Sequence, residues 1–204
     1  ARLAGQIVAP QEGKFAALAS ALSTNGILLY VPKNTILDKP LHSLLWGPGV
    51  GFAHLSHILI WRDEGASASY LHEIASPDED GASLHAGVVE ILVGRAASIQ
   101  YVELQAWGRN VWNFTHARAR VLEQGNLEWI HGAMGSNLTK SFSDVDLVES
   151  RATGRLSGFF FSDGTQHLDL DTQQNHRAPY TTSDLLYKGA LKGKSRSIWQ
   201  GMIY

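Results

Sequence analysis

Four residues near the C-terminal end have the types and spacing to hold a divalent cation. His167, Asp169 and Asp171 alternate with Leu168 and Leu170. As a strand, this stretch puts the imidazole and both carboxylates on one face and the leucines on the other. His176 follows a short way on, in a polar link that also carries Pro179. Imidazole and carboxylate at period two suit zinc or ferrous iron, so His167, Asp169, Asp171 and His176 are the metal candidates. The same alternation also describes a strand with one solvated face.

Other groupings invite other chemistry. Asp144 and Asp146 share a strand face, as do Glu103 and Gln105. Paired carboxylates in a groove suit an enzyme acting on polysaccharide, and a polar outer face accounts for them equally. His54 and His57, three apart at a strand start, point to opposite faces and read as hydrogen-bonded surface or edge histidines. Lys188, Lys192, Lys194 and Arg196, interleaved with Tyr187 and Trp199, have the make-up of a nucleic-acid patch. Asp184 and a formal net charge of -2 oppose that reading, so neither nucleic acid nor an anionic membrane is expected as a partner. Trp46 to Gly51 is glycine-rich but lacks the Gly-Lys-Ser/Thr ending of a phosphate loop. There is no Gly-x-Ser-x-Gly elbow and no His-Glu-x-x-His.

The chain has no cysteine, which excludes a disulfide framework, a thiolate nucleophile and thiolate-held metal from these residues. A cytoplasmic protein is expected, or a stromal one if it comes from a plant plastid. Asn113-Phe114-Thr115 and Asn137-Leu138-Thr139 match the glycosylation sequon but carry little weight without a secretory signal.

The elements that must position these residues are mostly strands. Phe15, Leu18 and Leu22 fall at helical spacing in Gln11 to Leu22, and Gly26 ends that helix. Residues 1–25 form a helical lead-in and 26–204 a single domain. Ile27 to Val31 is a buried strand. From His57 onward, strand–turn–strand units recur around Gly65, Gly94, Gly125, Gly154 and Gly193, at separations of 29, 31, 29 and 39 residues. The polar link around His176 accounts for the longer last step. A near-constant period built from short strands favours an all-β solenoid, a β-helix, over a β-sandwich. The apolar last strand, Ser195 to Tyr204, needs a cover. More chain, or a second copy in a homodimer through this C-terminal edge, would supply it.

The run Thr181 to Gly189, followed by Leu191 to Ile203, resembles the signature of the SufB/SufD family. His176 and Asp169 to Thr172 fit the same block, and Asn25 to Pro32 resembles the family's entry into its β-helix. Ser183-Asp184 before Lys188-Gly189, and Ser195-Arg196-Ser197 before an aromatic, resemble SufD more than SufB. The resemblance implies a right-handed parallel β-helix and a non-catalytic scaffold in iron–sulfur cluster assembly, partnered by SufB and the ATPase SufC. It also implies that the family's functional cysteine, glutamate and histidine lie beyond this block. The chain then reads as a core fragment, with a cluster bound only in the assembled complex. A β-helix enzyme acting on polysaccharide and a small metal-binding module are the alternatives.

Overall fold

A computed structural model describes residues 4–204. Thirteen strands, all paired in parallel, form two facing sheets. Sheet A holds β1 (Asn25–Val31), β3 (Ala53–Arg62), β5 (Ser83–Val93), β7 (Val111–Val121), β9 (Leu138–Leu147), β11 (His167–His176) and β13 (Arg196–Ile203) in that order. Sheet B holds β2 (Leu41–Trp46), β4 (Ser67–Ala75), β6 (Ser98–Trp107), β8 (Asn126–Gly135), β10 (Thr153–Ser162) and β12 (Thr182–Leu191). The chain alternates between sheets at every corner, so each strand pairs with the strand one coil away. The product is a β-solenoid of about six turns.

Period-two alternation drives each coil. In β4 and β9 every second residue is buried, and the inward residues of successive coils lie in register. The core is therefore a set of rows parallel to the solenoid axis. Ile60, Ile91, Ala119 and Val145 make one row, and Tyr70, Tyr101, Trp129 and Leu156 make another across the interior. Tyr101 packs on Tyr70 at 5.9 Å and on Trp129 at 5.6 Å between ring centroids. Fully burying one such ring contributes about 2–3 kcal/mol.

The corners correct the expected phase. The corner from sheet A to sheet B carries a left-handed residue at Asn34, Gly65, Ala96, Gln124, Arg151 and Tyr180, in steps of 27 to 31. Gly154 lies inside β10, and Gly193 belongs to the opposite corner. The 39-residue step thus came from pairing β12 with β13, half a coil out of phase. The residues around His176 insert nothing: β11 runs to His176 itself.

The helix α1 (Lys14–Leu22) starts three residues later than its apolar spacing predicts. A 3₁₀ turn, Pro10–Glu12, occupies the difference, closed by Ala9 N–H donating to Glu12 Oε1 at 2.8 Å. Ala16 and Ala19 seat α1 on Ala86 and Val88 of sheet A's outer face. Small residues on both sides permit that close approach. Among the described residues no helix is long and apolar enough to cross a membrane.

Candidate functional site

Polar residues collect inside the solenoid. One row of sheet B runs Ser43, His72, Glu103, His131, each in register with the next. Beyond it, Gly158 leaves the space that Tyr187 fills. Ser43 Oγ lies 2.8 Å from His72 Nδ1, and Tyr187 Oη 3.2 Å from His131 Nδ1. Tyr101 O–H donates to Glu103 Oε2 at 3.3 Å, and the Trp129 indole lies alongside, outside hydrogen-bonding geometry. Burial pushes the Glu103 carboxyl up to about 7, against the smaller pull of Tyr101 and Trp129. Burial also pushes His72 and His131 down to about 4, so both are neutral. Near neutral pH the row is uncharged apart from one carboxyl poised to titrate.

A second network crosses from sheet A to sheet B at the opposite corner. Ser56 Oγ is 3.0 Å from His85 Nε2, and His85 Nδ1 is 2.6 Å from Asn113 Oδ1. Asn113 Nδ2 donates to Gln105 Oε1 at 2.7 Å, and Gln105 Nε2 donates to Thr139 Oγ1 at 3.0 Å. Burial in turn holds His85 down at about 4. Each buried polar group here has its partner one coil away, which satisfies a desolvated donor or acceptor without opening the core. Arg62 stands apart from this network. It is fully buried in the row Val31, Arg62, Val93, and its guanidinium nitrogens have no partner among the described residues. Burial lowers its pKa to about 10.

The outer face of sheet A carries the lead-in. Glu90 interrupts an apolar run with its carboxylate turned outward and buried beneath residues 5–8. It accepts from Gly5 N and Ile7 N at 2.6 Å, from Val8 N at 3.3 Å and from His57 Nε2 at 2.6 Å. Burial raises its pKa, but these four donors outweigh it and hold the group below the ordinary carboxylate value. Arg118 fastens the next stretch, donating to Ile7 O at 3.2 Å, Glu12 Oε1 at 2.7 Å and Asp144 Oδ2 at 2.6 Å. Beside it lies a polar groove of about 300 Å³ that His116, Phe142 and Asp171 help to line.

The structure does not gather the four metal candidates. His167 and His176 stand at opposite ends of β11, about 30 Å apart at ~3.3 Å per residue. Lys140 on β9 donates to Asp169 Oδ1 at 2.9 Å and to Asp171 Oδ2 at 2.6 Å, so an ammonium already occupies the bay between the carboxylates. His176 spends both ring nitrogens on Thr181 and Ser183. Among the described residues no group of three or more His, Cys, Asp or Glu is placed to hold a metal.

The other candidates divide. Asp144 and Asp146 do share the outer face, where Arg118 pairs with Asp144 and Asn175 Nδ2 donates to Asp146 at 2.8 Å. Glu103 and Gln105 face inward, not outward as their polarity suggested. His57 is outward and bonded to Glu90, whereas His54 is inward and its buried Nε2 has no partner among the described residues. Tyr187 and Trp199 stack on each other at 5.4 Å between the sheets, while Lys188, Lys192, Lys194 and Arg196 are exposed, so base and aromatic are not interleaved. In the loop Gly47–Phe52 the Val50 amide donates to Glu79 at 3.1 Å, a carboxylate where a phosphate loop would hold an anion. Asn113, the first sequon residue, is buried.

The interior rows were missed, although a signal exists: 72, 103 and 131 are one coil apart, as are 85, 113 and 139. Glu90 was also missed. Its mark is a lone acid in the run from Gly87 to Val93.

Comparison with known proteins finds relatives along nearly the whole chain. Residues 47–204 match the family described as SUF system FeS cluster assembly, SufBD core domain. Proteins named iron-sulfur cluster assembly SufBD family protein, from Staphylococcus epidermidis, Staphylococcus haemolyticus and Staphylococcus aureus, are 35% identical over 198 residues. The match covers 97% of this chain and 43% of each relative, so the chain spans less than half the length of the curated relatives it matches.

Proposed function

The chain belongs to the SufBD family of iron–sulfur cluster assembly proteins, and on that premise we propose that it is a scaffold component, acting by complex formation and not by catalysis. The observation that carries this reading is family identity along nearly the whole chain, on a solenoid whose sheet A acids are taken up by structural partners. Asp144, Asp169 and Asp171 are bound to Arg118 or Lys140, and Glu90 to backbone amides. A glycosidase needs one free acid facing one free carboxylate, and these pairings work against it.

The proposed partners are a SufB-like protein and a SufC-like ATPase. With no cysteine in the chain, any cluster is proposed to be held by the assembled complex and not by this segment alone. Co-purification tests the reading. A tagged protein comprising this chain should retain SufB-like and SufC-like proteins through a wash at physiological salt. Retention of neither, by a protein that melts cooperatively, would sink the proposal.

A further inference from the structure

The glycine-rich stretch after Trp46 leaves β2 and forms the first corner from sheet B back to sheet A. The equivalent corners of the next two coils, 76–82 and 108–110, stack beneath it. Gly47 N–H donates to Ala75 O, Gly51 N–H to Ala82 O and Gly108 N–H to Ser76 Oγ, each at 2.9 Å. The approach is close: a Cβ on Gly47 would stand 2.8 Å from Ser76 Cβ and 3.0 Å from the Trp107 ring.

Under this lid lies a cavity of about 10 Å³, which Gly47, Pro48, Gly49, His54, Trp107 and Asn110 help to line. His54 Nε2, Trp107 Nε1 and Asn110 Oδ1 are buried and have no partner among the described residues. Trp107 as a whole is only 3% exposed. The neighbours are already committed. The His85 ring centroid lies 4.9 Å from that of Trp107 and 5.8 Å from that of His54, but its nitrogens face Ser56 and Asn113. Asn110 Nδ2 donates to Ser83 Oγ at 3.3 Å, which leaves Oδ1 unused. Buried polar atoms are normally satisfied, and here three that are not line one small space.

We propose that this cavity binds a single water molecule, which accepts from Trp107 Nε1–H, donates to Asn110 Oδ1 and makes its third bond with His54 Nε2. The atoms select the ligand. An indole N–H repels a metal ion or ammonium, and a carbonyl oxygen repels an anion. A neutral molecule that both donates and accepts meets the set, and about 10 Å³ is room for one water. Three bonds are also the usual number for a buried water. Burial lowers the pKa of His54, so its ring brings no charge to the site at neutral pH. The water ties β3 of sheet A to the corner that follows β6 of sheet B, two strands that do not pair with each other. The glycine at position 47 lets the lid close over it.

Magnetisation transfer from water to the indole N–H groups of the isotope-labelled chain tests this. Trp107→Phe assigns the resonance by removing one of six indole signals. In the wild type that N–H should show a cross-peak at the water frequency with NOE and ROE of opposite sign. Opposite signs mark a water that tumbles with the protein, and equal signs mark proton exchange. Asn110→Leu removes the acceptor and fills the space, and should abolish the cross-peak. A high-resolution crystal structure of the wild type gives a second reading: an ordered water within hydrogen-bonding distance of all three atoms. A Trp107 N–H without the cross-peak overturns the proposal. So does a cross-peak that survives Asn110→Leu in a cooperatively melting protein, and so does a crystal structure with no water, or with an ion, at the site.

Discussion

Replacing Glu103 by Gln should make the chain's stability rise more steeply between about pH 5.5 and pH 8.5. The carboxyl rises from 4.5 to about 7 on folding. A group whose folded pKa lies above its unfolded value contributes stability that is complete below the unfolded value and lost as the pH rises through the folded one. Once the pH is well above 7, the loss is roughly 3 kcal/mol; between about pH 5.5 and pH 8.5 it grows by roughly 2 kcal/mol. The histidines act with the opposite sign. His72, His85 and His131 fall from 6.5 to about 4, so their contribution is present above 6.5 and lost as the pH drops toward 4. Between about pH 5.5 and pH 8.5 the three histidines together add roughly 4 kcal/mol while Glu103 removes roughly 2, so the wild-type curve should rise by roughly 2 kcal/mol and level off near pH 8. Glutamine keeps the shape and a carbonyl that Tyr101 O–H can donate to, but cannot ionise. Urea unfolding at a series of pH values measures the rise. In Glu103→Gln it should steepen by roughly 2 kcal/mol over this range, or about 4–8 °C in Tm. Curves that stay parallel in the two proteins would refute the reasoning and move the titrating group elsewhere.

Arg62→Met should stabilise the chain by about 1–3 kcal/mol, read as a higher urea midpoint at unchanged slope, since it replaces an unpartnered buried cation by an apolar side chain of similar length. A lower midpoint would show that the guanidinium has a partner the geometry does not reveal. Glu90→Ala strips the acceptor from three amides and His57. Hydrogen exchange at Ile7 and Val8 should accelerate at least tenfold, with about 3 kcal/mol lost if the lead-in stays docked and less if it peels away. Trp199→Asp removes the ring stacked on Tyr187 and should lower stability by about 2 kcal/mol; an unchanged Tm would contradict that packing. Trp129→Ala opens the centre of the aromatic row and should cost about 3–5 kcal/mol in the same unfolding assay.

The period was legible because solenoid corners recur once per coil, and three of the six left-handed corner positions fall within two residues of Gly65, Gly94 and Gly125. The phase was lost where Arg151 and Tyr180 take up left-handed backbone without glycine. No glycine marks those corners, and Gly193 at the other corner took their place in the pattern. Alternation told inside from outside for Leu168 and Leu170 but failed for Glu103 and Gln105. Polar residues are normally outside, and only the coil above and the coil below show how these two are satisfied. The metal reading failed for the same reason. Lys140, which neutralises Asp169 and Asp171, is 29 and 31 residues away along the chain and adjacent in space.

The two corners of the coil differ in how freely their length varies. From β3 onward, the corner leading from sheet A to sheet B spans four or five residues, as in 63–66 and 148–152. The return corner spans anything from the two residues 136–137 to the seven residues 76–82. Yet the rows stay in register throughout, because each strand is aligned by the coil beneath it and not by the loop that delivers it. The return corner is therefore a slack joint in the chain. Residues can be gained or lost there over evolutionary time without a single inward side chain changing its neighbours, and an epitope or fluorophore-bearing loop grafted into 77–81 should leave the cylinder intact. A one-residue deletion inside a strand has no such refuge, since it turns half a coil inside out.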